Sequence, residues 1–299
     1  MALELTGCFT AIVTPFRNGA VDETALADLV DWQLSSGVKG IVAAGTTGEG
    51  YNLSPGEYRR VLRACVASAR GKGPVIAGAG THSTSDTIEL VKEAAASGCD
   101  AALVVTPYYC KPPQRGLVLH YRAVAAASPI PVILYNVPSR TGVTLEPETA
   151  AEAARIPNVA GLKEAAGSAE AAARVIALAP AAFAVVSGDD ALTLPMIAVG
   201  AKGVISVASN VAPSEISQLV AAALAGDLAR ARALNAKLLP LMKALFLESN
   251  PIPVKAALAW MGRISPEIRL PLVPMSSERF EPLARELTAL GLLRQPAAA

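Results

Sequence analysis

Runs of β-branched and other apolar residues recur along the chain at fairly even spacing, and each is followed by a segment of helical periodicity. Strands are predicted near Gly7–Val13, Val38–Ala44, Pro74–Gly80, Ala101–Thr106, Pro131–Asn136, Val159–Glu164, Ala184–Ser187 and Gly203–Ser206. Several, such as Val132-Ile133-Leu134, are continuously apolar rather than alternating, the pattern of a strand covered on both faces. Between them lie segments such as Asp22–Ser36, Ser54–Arg70 and Ser83–Ser97, each opening on a side chain that caps helices well. Eight strand–helix units predict an α/β fold, a closed (β/α)8 TIM barrel over residues 1–225. After Ser209 the strand signal stops, and helices are expected over Pro213–Ala225, Leu228–Leu247, Pro253–Met261 and Ser277–Leu290. That exceeds what an eighth barrel helix requires, so residues 226–299 are read as a C-terminal helical extension.

A weak internal repeat supports the barrel. Gly37-Val38-Lys39-Gly40-Ile41-Val42 and Gly200-Ala201-Lys202-Gly203-Val204-Ile205 share a form, echoed by Gly98-Cys99-Asp100-Ala101-Ala102-Leu103. In each, a glycine ends one helix and the next strand begins at once. The competing architecture is an open doubly wound sheet. No Gly-x-Gly-x-x-Gly follows the first strand, and Gly78-Ala79-Gly80 is only a fragment of that pattern.

Composition narrows the class of function. The 299 residues are 52% hydrophobic and 17% charged, enough for a sizeable core and too little charge for a disordered chain. Lys+Arg at 26 against Asp+Glu at 25 leave a net charge of +1, with no basic excess for nucleic acid or an anionic membrane. The longest apolar run, around Val175 to Val186, contains Pro180 and is too short to span a bilayer. Met1-Ala2-Leu3-Glu4 lacks the basic start of a signal peptide. Cys8, Cys65, Cys99 and Cys110 show no Cys-x-x-Cys spacing, which fits a reducing cytoplasm better than a disulfide framework or zinc site. His82 and His120 are the only histidines and stand far apart, which disfavours a bound catalytic metal and leaves only a carboxylate-only site open.

Chemistry therefore rests on Lys, Tyr, Thr, Arg or carboxylates. In a barrel of this type, catalytic groups lie at the C-terminal ends of strands. Lys39 and Lys202 stand at strand starts and read as structural or solvent-facing. Lys163 ends its strand, where burial lowers an amine's pKa and frees it to attack a ketone; pairing with the neighbouring Glu164 is the alternative. The second strand ends in Gly45-Thr46-Thr47-Gly48-Glu49, a loop whose N–H groups and hydroxyls can hold a carboxylate, although a plain turn reads the same way. Three of the six tyrosines, Tyr108, Tyr109 and Tyr135, follow the fourth and fifth strands, and Arg140 stands nearby in Ser139-Arg140-Thr141-Gly142. Hydroxyls that shuttle protons and a guanidinium that grips a carboxylate, converging on a buried lysine, favour carbonyl chemistry.

These motifs, with Gly7-Cys8-Phe9-Thr10-Ala11, Gly161-Leu162-Lys163-Glu164, Gly203-Val204-Ile205-Ser206 and Asn250-Pro251-Ile252-Pro253-Val254-Lys255, resemble the dihydrodipicolinate synthase family. That family lies within the pyruvate-dependent class I aldolases, which include N-acetylneuraminate lyase. The resemblance covers nearly the whole chain. It implies that Lys163 forms a Schiff base with pyruvate, and that Tyr135 moves protons on the bound intermediates. Thr46 then links Tyr135 to Tyr109, which reaches into a neighbouring subunit's site. By the same resemblance, Thr47 is expected to contact the pyruvate carboxylate, with Ile205 nearby through its backbone, Gly188 to line the site, and Arg140 to receive the carboxylate of L-aspartate 4-semialdehyde. The implied product is 4-hydroxy-tetrahydrodipicolinate, on the route to diaminopimelate and lysine, with no cofactor beyond the covalent Schiff base. A cytoplasmic homotetramer, a dimer of dimers, is implied as well. Thr47 and Arg140 favour this reading over a sialate lyase or a 4-hydroxy-2-oxoglutarate aldolase, and the intact relay favours it over a keto-acid-binding protein of low turnover.

Lysine-sensitive relatives bind their inhibitor at a subunit interface. The corresponding positions here are Gly50, Tyr51, Pro55, Tyr58, His82, Asp86 and Tyr108. By resemblance, Pro55 and Tyr58 replace histidines and His82 replaces an asparagine, so weak or absent inhibition by lysine is expected.

Overall fold

The computed structural model describes residues 4–293, so the ends of both expected segments, 1–3 and 294–299, lie outside the described residues. Eight parallel strands close into a barrel: β1 (Gly7–Ala11), β2 (Gly40–Ala43), β3 (Val75–Gly78), β4 (Ala101–Val105), β5 (Val132–Asn136), β6 (Val159–Glu164), β7 (Ala184–Ser187) and β8 (Gly203–Ser206). Closure is made by β8 against β1, with Gly7 opposite Gly203 and Thr10 opposite Ser206. The predicted strands run up to two residues longer at either end of the first three. One element is new: a two-stranded hairpin of Phe16–Arg17 and Ala20–Val21, turned at Asn18 and Gly19, both with positive φ.

Leu5, Phe9, Ile76, Ile133 and Ile205 fill the barrel interior. A second apolar layer lies between the strands and the surrounding helices. Local sequence sets the helix starts. Asp22 caps α1 (Glu23–Ser35), Ser54 and Glu57 form a reciprocal capping box on α2 (Pro55–Ala69), and Ser83 caps α3 (Thr84–Ala96). Beyond the barrel, helices Leu228–Ala244, Ile252–Trp260 and Phe280–Ala289 follow. Their Leu238, Val254, Leu258 and Leu283 share one continuous core with Leu26, Val30 and Leu62 of α1 and α2. Among the described residues, no helix is long and apolar enough to cross a membrane.

A buried ion pair fastens the C-terminal helices to the barrel mouth. Lys255 Nζ lies 2.6 Å from Glu49 Oε1, and the two side chains are 2% and 0% exposed. Arg269 N donates to Glu49 Oε2 at 3.2 Å. The Lys255 and Arg269 cations both lie over the Phe16 ring, which gives the hairpin its place. Arg269 also grips Glu57 of the capping box with both terminal guanidinium nitrogens, and these bonds hold the Glu57 carboxyl down at about 2. Removing one partner of a buried pair strands the other charge. Lys255→Met is expected to cost about 3 kcal/mol or more in chemical denaturation, with most of that stability recovered in the Glu49→Gln/Lys255→Met double variant. A single variant as stable as the wild type would contradict this.

Candidate active site

Strand register places the reactive groups. Tyr135 of β5 stands directly beside Lys163 of β6, and both side chains turn into the barrel mouth. Lys163 Nζ lies 4.4 Å from the centre of the Tyr135 ring, and Lys163 is 6% exposed. Burial pushes the lysine down to about 8; Asp190 opposes the shift and Arg140 reinforces it. Burial also raises the Tyr135 phenol, against the pull of the Arg140 charge and a hydrogen bond from Thr46. The alternative pairing of Lys163 with Glu164 does not occur. Alternation along β6 sends Glu164 to the opposite face, where Asn136 Nδ2 and Ala166 N donate to its carboxylate at 3.0 and 2.6 Å.

Lys163, Tyr135, Thr46, Thr47, Arg140 and Gly188 line one cavity of about 1390 Å³. Gly188 is there for space: a Cβ at this position would meet Lys163 Cε at 2.9 Å and Ala165 Cβ at 2.8 Å. Thr47 Oγ1 accepts from Asn250 Nδ2 at 2.9 Å, and Arg140 Nη2 donates to the Asn250 main-chain oxygen at 3.4 Å. Two expected residues stand apart from the cavity wall. Ile205 lies in the packed barrel interior. Tyr109 is 91% exposed, held at φ 70° with its N–H on the Thr141 carbonyl oxygen at 3.2 Å.

The residues considered for lysine binding border the same cavity. Gly50, Tyr51, Pro55, Tyr58, Asp86 and Tyr108 line it, and the His82 ring stands 5.5 Å from that of Tyr108. Two of them have packing duties. A Cβ on Gly50 would lie 1.9 Å from the Ala44 carbonyl oxygen, and the buried Tyr58 hydroxyl donates to the Gly78 carbonyl oxygen at 3.0 Å.

Sequence reasoning passed over Asp190, Asn250 and the Glu49–Lys255 pair. Asp190 is buried beside the β8 loop, accepting from Ser206 Oγ and from Val207 N and Ala208 N at 3.0 Å. Its signal was the acidic pair Asp189-Asp190 directly after Gly188 at a strand end. Among the described residues, no group of three or more His, Cys, Asp and Glu side chains is gathered as for a metal ion.

Fold and site together define a (β/α)8 barrel with an enclosed amine and a phenol at its mouth. A model described as the dihydrodipicolinate synthetase family matches residues 4–290. The 4-hydroxy-tetrahydrodipicolinate synthase of Syntrophus aciditrophicus (strain SB) is 50% identical over 287 residues, 96% of this chain and 99% of the relative. The structure of the chloride-inhibited dihydrodipicolinate synthase from Acinetobacter baumannii complexed with pyruvate superposes with a TM-score of 0.95 at 46% identity. That alignment covers 97% of this chain and 100% of the other. The lysine-bound enzyme from Cyanidioschyzon merolae gives 0.93 at 40% identity, over 96% and 99% of the two chains. This chain belongs to the dihydrodipicolinate synthetase family.

A lysine titrating near 8 makes imine formation pH-dependent in a defined window. Below 8 the reactive neutral amine grows about tenfold per pH unit, and above 8 the gain stops. The initial rate of pyruvate trapping by cyanoborohydride is expected to follow that curve. A rate still climbing tenfold per unit well above 8 would mean an unshifted lysine.

Proposed function

We propose that this chain condenses pyruvate with L-aspartate 4-semialdehyde through a Schiff base on Lys163 and releases 4-hydroxy-tetrahydrodipicolinate. The observation that carries the reading is the enclosed Lys163 amine, lowered to about 8, against the Tyr135 ring. A buried neutral amine is nucleophilic at ordinary pH, and a phenol within reach supplies and accepts protons.

The Lys163 amine adds to the pyruvate ketone, and loss of water leaves a protonated imine. Electron withdrawal by that imine lets Tyr135 take a proton from the methyl carbon, giving an enamine. The enamine carbon bonds to the aldehyde carbon, whose oxygen receives the proton back. The amino group of the second substrate then adds to the imine carbon and expels Lys163, closing the ring. No cofactor enters these steps. Thr46 passes protons to and from Tyr135, Thr47 holds the first carboxylate, and Arg140 takes the second; Ile205, packed in the barrel interior away from the cavity wall, is given no contact with it. Gly188 keeps room for the lysine side chain.

The exposed Tyr109 serves the site of a neighbouring copy in a homotetramer, which gives an exposed aromatic ring a partner. A cytoplasmic location accords with free thiols at Cys8, Cys65, Cys99 and Cys110.

Turnover of both substrates, read by coupling the product to its reductase, tests the assignment. Robust wild-type turnover and a loss of about a thousandfold or more in Lys163→Ala are expected, since a covalent catalyst is removed. Wild-type protein that traps pyruvate yet ignores this aldehyde would reject the second substrate and favour another aldehyde.

Regulation by lysine is expected to be weak. Tyr58 spends its hydroxyl on the Gly78 backbone, and Pro55 offers no side-chain polar atom. Calorimetric titration with L-lysine should register little heat; micromolar binding would contradict the proposal.

A further inference from the structure

The segment Asn250–Lys255 carries polar groups from the C-terminal helices to the barrel mouth, and the steps above assign it nothing. Asn250 is 5% exposed and stands on the cavity wall. Its side chain reaches Thr47 and its main-chain oxygen reaches Arg140, so one residue touches the supports proposed for both carboxylates. Further along the segment, Lys255 clamps Glu49, whose own N–H donates to the Thr46 carbonyl oxygen at 3.1 Å. The threonine loop and Asn250 are thereby held against each other from two sides.

A hydroxyl carries one proton and two lone pairs. Where Asn250 Nδ2 donates into a lone pair of Thr47 Oγ1, the hydroxyl proton is left for a third group. Among the described residues, this is the one hydrogen bond that the Thr47 hydroxyl makes. We infer that Asn250 is a positioning residue: its amide fixes the Thr47 hydroxyl as a donor to the pyruvate carboxylate. The inference rests on the role proposed for Thr47. An amide turned the other way, with Oδ1 toward Thr47, would consume the hydroxyl proton and leave Thr47 Oγ1 to face an anion with lone pairs alone.

The direction of donation separates this role from simple packing. Asn250→Ala removes the amide but leaves the Thr47 proton free to turn toward the ligand. Asn250→Asp replaces a donor by an ionised acceptor, which draws the proton away and sets a second negative charge beside the substrate. Arg140 is held by the main-chain oxygen, which both variants keep.

The test uses the full chain and measures KM for each substrate, with pyruvate half-saturation also read by reductive trapping. Asn250→Ala is expected to raise the pyruvate value about tenfold and Asn250→Asp about a hundredfold, with the semialdehyde KM changed far less. The gap between Asn250→Asp and wild type at equal pH should narrow as the pH falls, because a protonated carboxyl donates again. In a Thr47→Val background, Asn250→Ala should cost little more.

Pyruvate binding by Asn250→Asp equal to wild type would overturn the inference, because Thr47 must then donate to residue 250. So would an Asn250→Ala penalty undiminished by Thr47→Val. Should Asn250→Asp fail to fold, the Thr47→Val comparison decides alone. Wild-type protein that traps no pyruvate on Lys163 would reject the functional reading itself and the inference with it; normal wild-type trapping with an indifferent Asn250 series rejects only the inference.

Discussion

Lys163 Nζ sits at the end of a strand in a closed barrel, where losing its hydration disfavours the charged ammonium, and much of the mouth is arranged around that cost. A free surface lysine would hold its proton and be inert toward a ketone at neutral pH. Complete neutrality would be no better, because the imine must itself become protonated to withdraw electrons. Burial lowers the amine and the Asp190 charge pulls the other way, so the group titrates near the range where it works. Asp190 can stay in this position because a hydroxyl and two backbone N–H groups satisfy its oxygens, although burial still raises its own pKa. Its hydrogen bonds also fix the start of the loop after β8, so one carboxylate has an electrostatic and a structural duty.

The second requirement is a rigid rim. Thr46 and Thr47 lie on a short loop that lines the cavity. The loop ends at Glu49, held in a left-handed conformation at φ 50°, and the Glu49 carboxylate is buried on Lys255 and the Arg269 backbone. The C-terminal helices therefore belong to the site as well as to the core, since Asn250, Lys255 and Arg269 all come from beyond the barrel strands. Tyr109 marks the opposite case, a large side chain left exposed on a left-handed backbone at φ 70°.

The strands were legible because both faces of a barrel strand are covered, which writes each as a short apolar run. Lys163 and Tyr135 were legible because strand ends of one polarity share the barrel mouth. Two-residue strands leave no periodicity, so the hairpin at Phe16 escaped notice, although Asn18-Gly19 is the expected dipeptide for its turn. The Glu49–Lys255 and Thr47–Asn250 contacts span 206 and 203 residues, and no local pattern links their members. Asn250 and Lys255 stood within a motif that pointed to the family, yet only folding shows what they touch. The Lys163–Glu164 ambiguity was settled by alternation along β6, a rule already readable once the strand was placed.

A crystal structure of the protein soaked in pyruvate tests the central claim most directly. Continuous density from Lys163 Nζ to the ketone carbon, with the carboxylate on the Thr46–Thr47 loop, is the predicted result. Pyruvate bound elsewhere, or lying in the mouth with no bond to Lys163 at a pH above 8, would contradict the account.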